Sequence, residues 1–309
     1  MDYYVTWTDR DVNYQEYDDN CHMMISPRNV NKSWSSKKWT KFPKKIIIDS
    51  GAIQYIKDKR FPSPEDVLNR QLSIFGEDVP SKLLTFCSPD IPLIPYKISK
   101  TEALERIKLT IKNAEQYFNL MEKQKLYKNY RFMGVVQAFD PETAYYSSLR
   151  LAEIGYETFG IGSLIPLSAR GDKQLIFRII EAVIEAIGTR VHIFGITAPG
   201  LISKLKKLKV ESIDSSTPMR EAINGAIIYS NPFRRCKFLR DTRSQEWTRN
   251  YSFGEIIDKL ESCICPVCIE DPDRLLLGGQ KKNINWKAIH NYFHLKWEIQ
   301  NEIIEKEIL

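Results

Sequence analysis

From residue 46 onward the sequence alternates two kinds of segment, and this alternation limits the fold more than any other feature. One kind is a short apolar run that stops at polar residues or glycine. Residues 46–48 stop at Asp49-Ser50-Gly51, residues 83–86 at Cys87-Ser88-Pro89-Asp90, and residues 132–136 at Gln137. Residues 159–161 stop at Gly162-Ser163, residues 191–194 at Gly195, and Ser212-Ile213 at Asp214-Ser215-Ser216. The other kind has helical spacing. Residues 101–126 place Leu104, Ile107, Ile111, Ala114, Phe118 and Met121 on one face, and residues 141–154 and 172–187 behave alike. Residues 201–208 set Leu201, Leu205 and Leu208 among lysines. Short buried strands alternating with helices predict a parallel sheet with helices outside it. At least six such units favour a closed α/β (β/α)8 TIM-like barrel over a doubly wound sheet. Residues 2–8 read as a further strand, and the polar stretch 26–45 as a loop.

In such a barrel the C-terminal ends of all strands share one face, where active sites are built. Asp49, Asp90, Gln137, Gly162 with Ser163, and Asp214 all follow apolar runs, so they are expected to converge there. Two aspartates in one barrel mouth suit displacement at a sugar anomeric carbon, one as nucleophile and the other as acid or base. His192 lies inside an apolar run and reads as a satisfied core histidine, while His22 has no evident partner.

Residues 262–309 are expected to form a zinc-binding subdomain with a C-terminal helix closing the barrel, against a catalytic barrel domain over 1–261. Of six cysteines, Cys263, Cys265 and Cys268 fall within six residues, while Cys21, Cys87 and Cys236 are scattered. Three clustered thiols fit a structural Zn2+, with His290 or His294 as fourth ligand. A turn at Leu277-Gly278-Gly279 precedes a helix expected from Trp286, with Ile289, Phe293, Trp297 and Ile299 apolar.

Among 309 residues, 43% are hydrophobic and 27% charged, which excludes a disordered or fibrous chain. No apolar stretch is long enough to span a membrane, and the N-terminus lacks a signal-peptide layout, so a cytoplasmic protein is expected. The net charge of +6 permits a polyanionic partner. Arg234, Arg235, Lys237, Arg240, Arg243 and Arg249 form one basic cluster, readable as a backbone clamp or as plain surface. Lys204, Lys206, Lys207 and Lys209 form another, readable as a solvated helix face.

Several motifs together resemble the tRNA-guanine transglycosylase family. They are Asp49-Ser50-Gly51-Ala52-Ile53-Gln54, Gly134-Val135-Val136-Gln137, Gly160-Ile161-Gly162-Ser163-Leu164, Ile213-Asp214-Ser215-Ser216-Thr217-Pro218, and the cysteine cluster followed by Ile289-His290-Asn291. They occur in the family's order from residue 46 to about 295. Asp214-Ser215-Ser216, Pro89-Asp90-Ile91-Pro92, Gly162 to Leu167, Cys265-Pro266-Val267-Cys268 and the Gly-Gln-x-x-Asn stretch at 279–283 look closer to the DNA-modifying DpdA branch. The resemblance implies exchange of a guanine in DNA for a 7-deazaguanine, such as 7-cyano-7-deazaguanine, through a covalent aspartyl-sugar intermediate. Alternatives are the same chemistry on tRNA, or a non-catalytic partner subunit, against which the retained Asp49 and Asp214 speak. Whether helper proteins are needed stays open.

Carried over, the resemblance makes Asp214 the nucleophile and Asp49 the proton-transfer group. Asp90 and Gln137 would bind the base edge, with Ser50, Gly162 and Ser163 beside them and Phe194 stacking on the ring. His290 is the histidine it points to for zinc. Ile53 stands where many members have an aromatic, and Ser163 where they have a second glycine. Archaeal members carry an appended RNA-binding domain, which this sequence is expected to lack.

Overall fold

Eight short strands, each paired in parallel with its sequence neighbour, close on themselves into a barrel. They are β1 (Asp2–Trp7), β2 (His22–Ile25), β3 (Lys45–Ile48), β4 (Leu84–Cys87), β5 (Arg131–Val136), β6 (Thr158–Ile161), β7 (Val191–Ile193) and β8 (Ser212–Ser215). The computed structural model describes residues 1–30, 38–56, 60–75, 78–196, 198–230, 234–237, 262–277 and 280–301. It forms two compact units: Met1–Asp9 with Asn20–Asp214, and Arg10–Asp19 with Ser215–Leu309.

In the first unit, helices α1 (Pro64–Ser73), α2 (Lys100–Lys123), α3 (Pro141–Ile154), α4 (Ile165–Ala169), α5 (Lys173–Ile187) and α6 (Pro199–Lys207) lie between successive strands from β3 to β8, with α4 and α5 both between β6 and β7; the sequence pattern predicts α2, α3, α5 and α6. Their starts are set by side chains that accept the otherwise unpaired N–H groups of the first turn. Ser63 and Asp140 form reciprocal capping boxes with Asp66 and Thr143, while Ser99 and Asp172 cap α2 and α5.

The barrel interior follows from the two-residue period of a strand. Tyr4, Met24, Ile47, Cys87, Met133 and Val135 form a buried cluster with Phe194 packed against it. Two residues beyond Ile47 on the same phase comes Asp49, and two beyond Val135 comes Gln137. On β8, Ser212 pairs in register with His192, and Asp214 follows two residues later. The periodicity that fills the core therefore aims these polar side chains into the C-terminal mouth.

Other elements differ from the sequence reading. Strand β2 was not foreseen, because His-Met-Met-Ile is short and buried throughout, leaving no alternation to read. On α2, Leu104 is 37% exposed, and the buried face carries Thr110 and Tyr117 among Ala103, Ile107, Ala114 and Met121. Two polar residues occupy core places there, so the apolar pattern alone misplaces the face.

The second unit holds α7 (Thr217–Ile223), the antiparallel ribbon β9 (Ala226–Tyr229) and β10 (Arg234–Lys237), α8 (Pro266–Glu270) and α9 (Lys281–Gln300). Helix α9 starts five residues before the expected Trp286 and leaves Trp297 42% exposed. Its buried face carries His290 and Asn291 beside Ile289 and Leu295. Asn291 accepts from the Ile228 N–H at 2.7 Å and donates to the carbonyls of Pro218 and Ala226 at 3.1 Å, so one amide ties α7, β9 and α9 together. No helix among the described residues is long and apolar enough to cross a membrane.

Candidate active site

Asp214 sits at the end of β8, 5% exposed. Its Oδ1 accepts the Gly195 backbone N–H at 2.8 Å and faces His192 Nε2 at 3.3 Å, and its Oδ2 accepts the Thr6 hydroxyl at 3.0 Å. A carboxylate met by several donors is held in one orientation. Gly195 has φ +71°, and a Cβ there would come within 2.3 Å of Ile165, so only glycine lets this backbone approach.

Asp49 follows β3 on the same rim. Its carboxylate accepts the Ser50 N–H at 2.7 Å. Burial pushes its pKa up to about 7; the charge of Asp90 adds to this, the N–H groups of Ser50 and Gly51 oppose it, and the charge of Asp214 raises it further. Asp49 thus feels both other carboxylates. Asp90 is raised to about 6 by burial, against the hydrogen bonds from Ser50 and Gln137. Near neutral pH the mouth therefore contains carboxyl groups poised to hold or release a proton beside the anchored Asp214.

The remaining rim residues form one chain of hydrogen bonds. Ser50 Oγ donates to Asp90 Oδ1 at 2.8 Å, and Gln137 Nε2 donates to Asp90 Oδ2 at 2.6 Å. Ser163 Oγ donates to Gln137 Oε1 at 2.5 Å and accepts the Leu93 N–H at 2.8 Å. Ser163 has φ +59°, a left-handed conformation that costs a non-glycine residue roughly 1–2 kcal/mol. Its two hydrogen bonds offset that cost. At Gly162 a Cβ would lie 2.4 Å from Gln137 Nε2, so the missing side chain leaves room for the amide. At Gly160 a Cβ would lie 2.4 Å from the Phe194 ring, so this glycine seats Phe194 over the core. Ile53 is 64% exposed.

Sequence reasoning missed the residues that hold these groups. His192 is 1% exposed and buried as expected, yet it touches Asp214 rather than serving only the core. Thr6 was read as strand alone. Gln71 of α1 donates to the carbonyls of Ile48, Asp49 and Cys87, and accepts the Tyr117 hydroxyl at 2.5 Å. It braces the ends of β3 and β4, which carry Asp49 and Ser88 to Asp90. The one available signal was parity, since Thr6 and His192 share the inward phase of Tyr4 and Ser212. His22 faces Asp2 at 3.6 Å.

In the second unit Cys263, Cys265, Cys268 and His290 offer ligand atoms that all lie within 4.8 Å of one another and could hold a metal ion. His290 Nδ1 lies 3.3 Å from Cys265 Sγ and 3.4 Å from Cys268 Sγ. A zinc tetrahedron with bonds of about 2.0–2.3 Å has edges of roughly 3.5–3.8 Å, so the donor set fits such an ion. Hydrogen bonds sort the two histidines. His290 Nε2 is 3.0 Å from the Ile228 carbonyl, which only accepts, so Nε2 carries the proton and the Nδ1 lone pair faces the sulfurs. His294 Nδ1 accepts the Ser230 backbone N–H at 3.1 Å, so its Nε2 carries the proton and donates toward Cys263 Sγ at 3.2 Å. His290 thus belongs to the group that could hold an ion, and His294 stands beside it as a hydrogen-bond donor.

The basic clusters divide likewise. Lys204 pairs with Glu181 at 3.4 Å and covers the Phe177 ring, while Lys207 and Lys209 are exposed. Arg235 pairs with the buried Glu221 at 2.5 Å. Arg240, Arg243 and Arg249 lie outside the described residues, as do the side chains of Arg234 and Lys237 and the pair Gly278-Gly279.

Comparison with known proteins finds one family. A family model described as queuine tRNA-ribosyltransferase matches residues 15–306. The tRNA-guanine(15) transglycosylase of Methanococcus aeolicus is 26% identical over 259 residues, covering 82% of this chain and 35% of that protein. Those of Korarchaeum cryptofilum and Thermococcus onnurineus are each 23% identical, covering 80% and 84% of this chain and 38% and 39% of theirs. The chain thus spans well under half the length of these curated relatives.

Proposed function

Because this chain belongs to the queuine tRNA-ribosyltransferase family, we propose that it exchanges a guanine in nucleic acid for a 7-deazaguanine, with DNA as the polymer and 7-cyano-7-deazaguanine as the incoming base. The observation that carries the reading is the pair of unlike carboxyl groups on one rim. Asp214 is anchored by Thr6, Gly195 and His192, while Asp49 is raised to about 7 within reach of its charge.

In the first half, an Asp214 oxygen forms a bond to the sugar C1′ as the bond from C1′ to the base N9 breaks. The base keeps the electron pair and takes the Asp49 proton, leaving as neutral guanine. In the second half, the incoming base gives its N9 proton to the Asp49 carboxylate. Its nitrogen then attacks C1′, and Asp214 departs as carboxylate. Two displacements retain configuration and consume no cofactor. Asp90 and Gln137, already joined to Ser50 and Ser163, present a fixed polar edge to the base, and Phe194 supports its ring. The target nucleotide must be unstacked or single-stranded to reach this mouth. Zinc on the cysteines and His290 would serve structure alone, because four protein ligands leave no open position.

The choice of DNA rests on the Asp214-Ser215-Ser216 and Cys265-Pro266-Val267-Cys268 segments. The names of the archaeal relatives favour a second reading, tRNA, with the same residues in the same roles. Incubation with labelled 7-cyano-7-deazaguanine and either DNA or tRNA separates them. Label in DNA supports the first reading, label in tRNA only supports the second, and label in neither overturns exchange. Asp214→Asn should abolish the covalent adduct seen on denaturing gels.

A further inference from the structure

His192 has a contact that the exchange scheme leaves without a part. Its ring lies between two side chains of β8, with Nδ1 2.9 Å from Ser212 Oγ and Nε2 3.3 Å from Asp214 Oδ1. The edges of Tyr4 and Phe194 pack against it, with ring centroids at 5.6 and 4.8 Å. Ser212 and Asp214 are two residues apart and so face the same way, and His192 is the ladder partner of Ser212, which is why one imidazole spans both.

The tautomer follows from chemistry. An ionised carboxylate only accepts, so Nε2 carries a proton toward Asp214. In the neutral ring Nδ1 then accepts the Ser212 hydroxyl, which fixes that tautomer from the far side. Oδ1 of Asp214 thus faces two N–H donors, from Gly195 and His192, whereas among the described residues Oδ2 meets the rotatable hydroxyl of Thr6 alone.

Resting on the exchange reading, we propose that His192, set by Ser212, is a positioning residue that anchors Oδ1 of Asp214 and leaves Oδ2 to attack the sugar carbon. In the first displacement the anchor fixes the direction of attack. In the second, as the bond between Oδ2 and C1′ breaks, negative charge returns to the carboxylate and the Nε2–H stabilises it. A donor aimed where charge develops acts on both halves of the exchange.

The test compares wild type, His192→Leu, which removes the donor, and His192→Gln, which restores an N–H near the Nε2 position. Single-turnover adduct formation and base exchange are measured with the polymer that wild type modifies. His192→Leu should slow both by about 100–1,000-fold with the KM for the base unchanged, and His192→Gln should recover most of the rate. A wild-type rate in His192→Leu, or a change confined to KM, overturns the proposal. A second readout needs no variant to fold: the nitrogen-15 spectrum of wild type should show a protonated Nε2 and an unprotonated Nδ1 at His192. The opposite tautomer overturns the anchor even if exchange is active. Absence of any exchange by wild type overturns the exchange reading itself, and the role of His192 falls with it.

Discussion

Gly162 shows how little space the Gln137 amide has. A methyl group there would meet Gln137 Nε2 at 2.4 Å, and that amide cannot swing away, because it is 2% exposed and bonded to both Asp90 and Ser163. Gly162→Ala should therefore break the 2.6 Å bond to Asp90, destabilise the fold by about 1–3 kcal/mol, and raise the KM for the base more than it lowers kcat. Denaturant titration and steady-state kinetics on the same preparation check this. At this scale the sequence reveals positions better than partnerships. Asp49, Gln137 and Asp214 are legible as rim residues because each ends an apolar run of known phase. Their partners Thr6, Gln71 and His192 lie on other elements, and nothing local in the sequence pairs Thr6 with a residue 208 positions away.

At the scale of elements, the helix Pro141–Ile154 is legible to its ends, since Asp140 caps it and Gly155, with φ +119°, stops it. The strand at His22–Ile25 is not, because burial on both sides erases the pattern that would mark it. Helix α9 is read late, and its face only in part: Ile289 and Ile299 are buried but Trp297 is exposed, while the buried His290 and Asn291 are polar, doing work that hydrophobic spacing cannot announce. Zinc should hold α8 against α9 through Cys265, Cys268 and His290. Metal content near one ion per chain is expected, with its loss in Cys265→Ala accompanied by faster proteolytic cleavage in 266–300. A chain without bound metal that resists cleavage equally would show that packing alone suffices.

At the scale of the whole molecule, the buried carboxyl groups make stability depend on pH. Asp49 and Asp90 bind protons more tightly folded, at about 7 and about 6, than unfolded, near 3.9. The folded state thus gains from protonation. That contribution is complete below about pH 4 and is lost as pH rises through 6 and 7. The midpoint of thermal unfolding should fall between pH 5 and pH 8 in wild type by more than in Asp49→Asn/Asp90→Asn, whose difference from wild type should grow with pH. Parallel curves for the two proteins would refute the raised values. The expected architecture, a closed parallel barrel, was legible because alternation repeats along the chain and each repeat constrains the next.

The second unit takes Arg10–Asp19 from one end of the sequence and everything after Asp214 from the other, and Tyr292 reaches Asp18 across 274 positions at 2.6 Å. During synthesis, the early segment leaves the ribosome long before its partner helix exists. Its final contacts can form only once the helix Lys281–Gln300 has been made. A stop codon ahead of that helix would strand Arg10–Asp19, a segment made far earlier, without its partner.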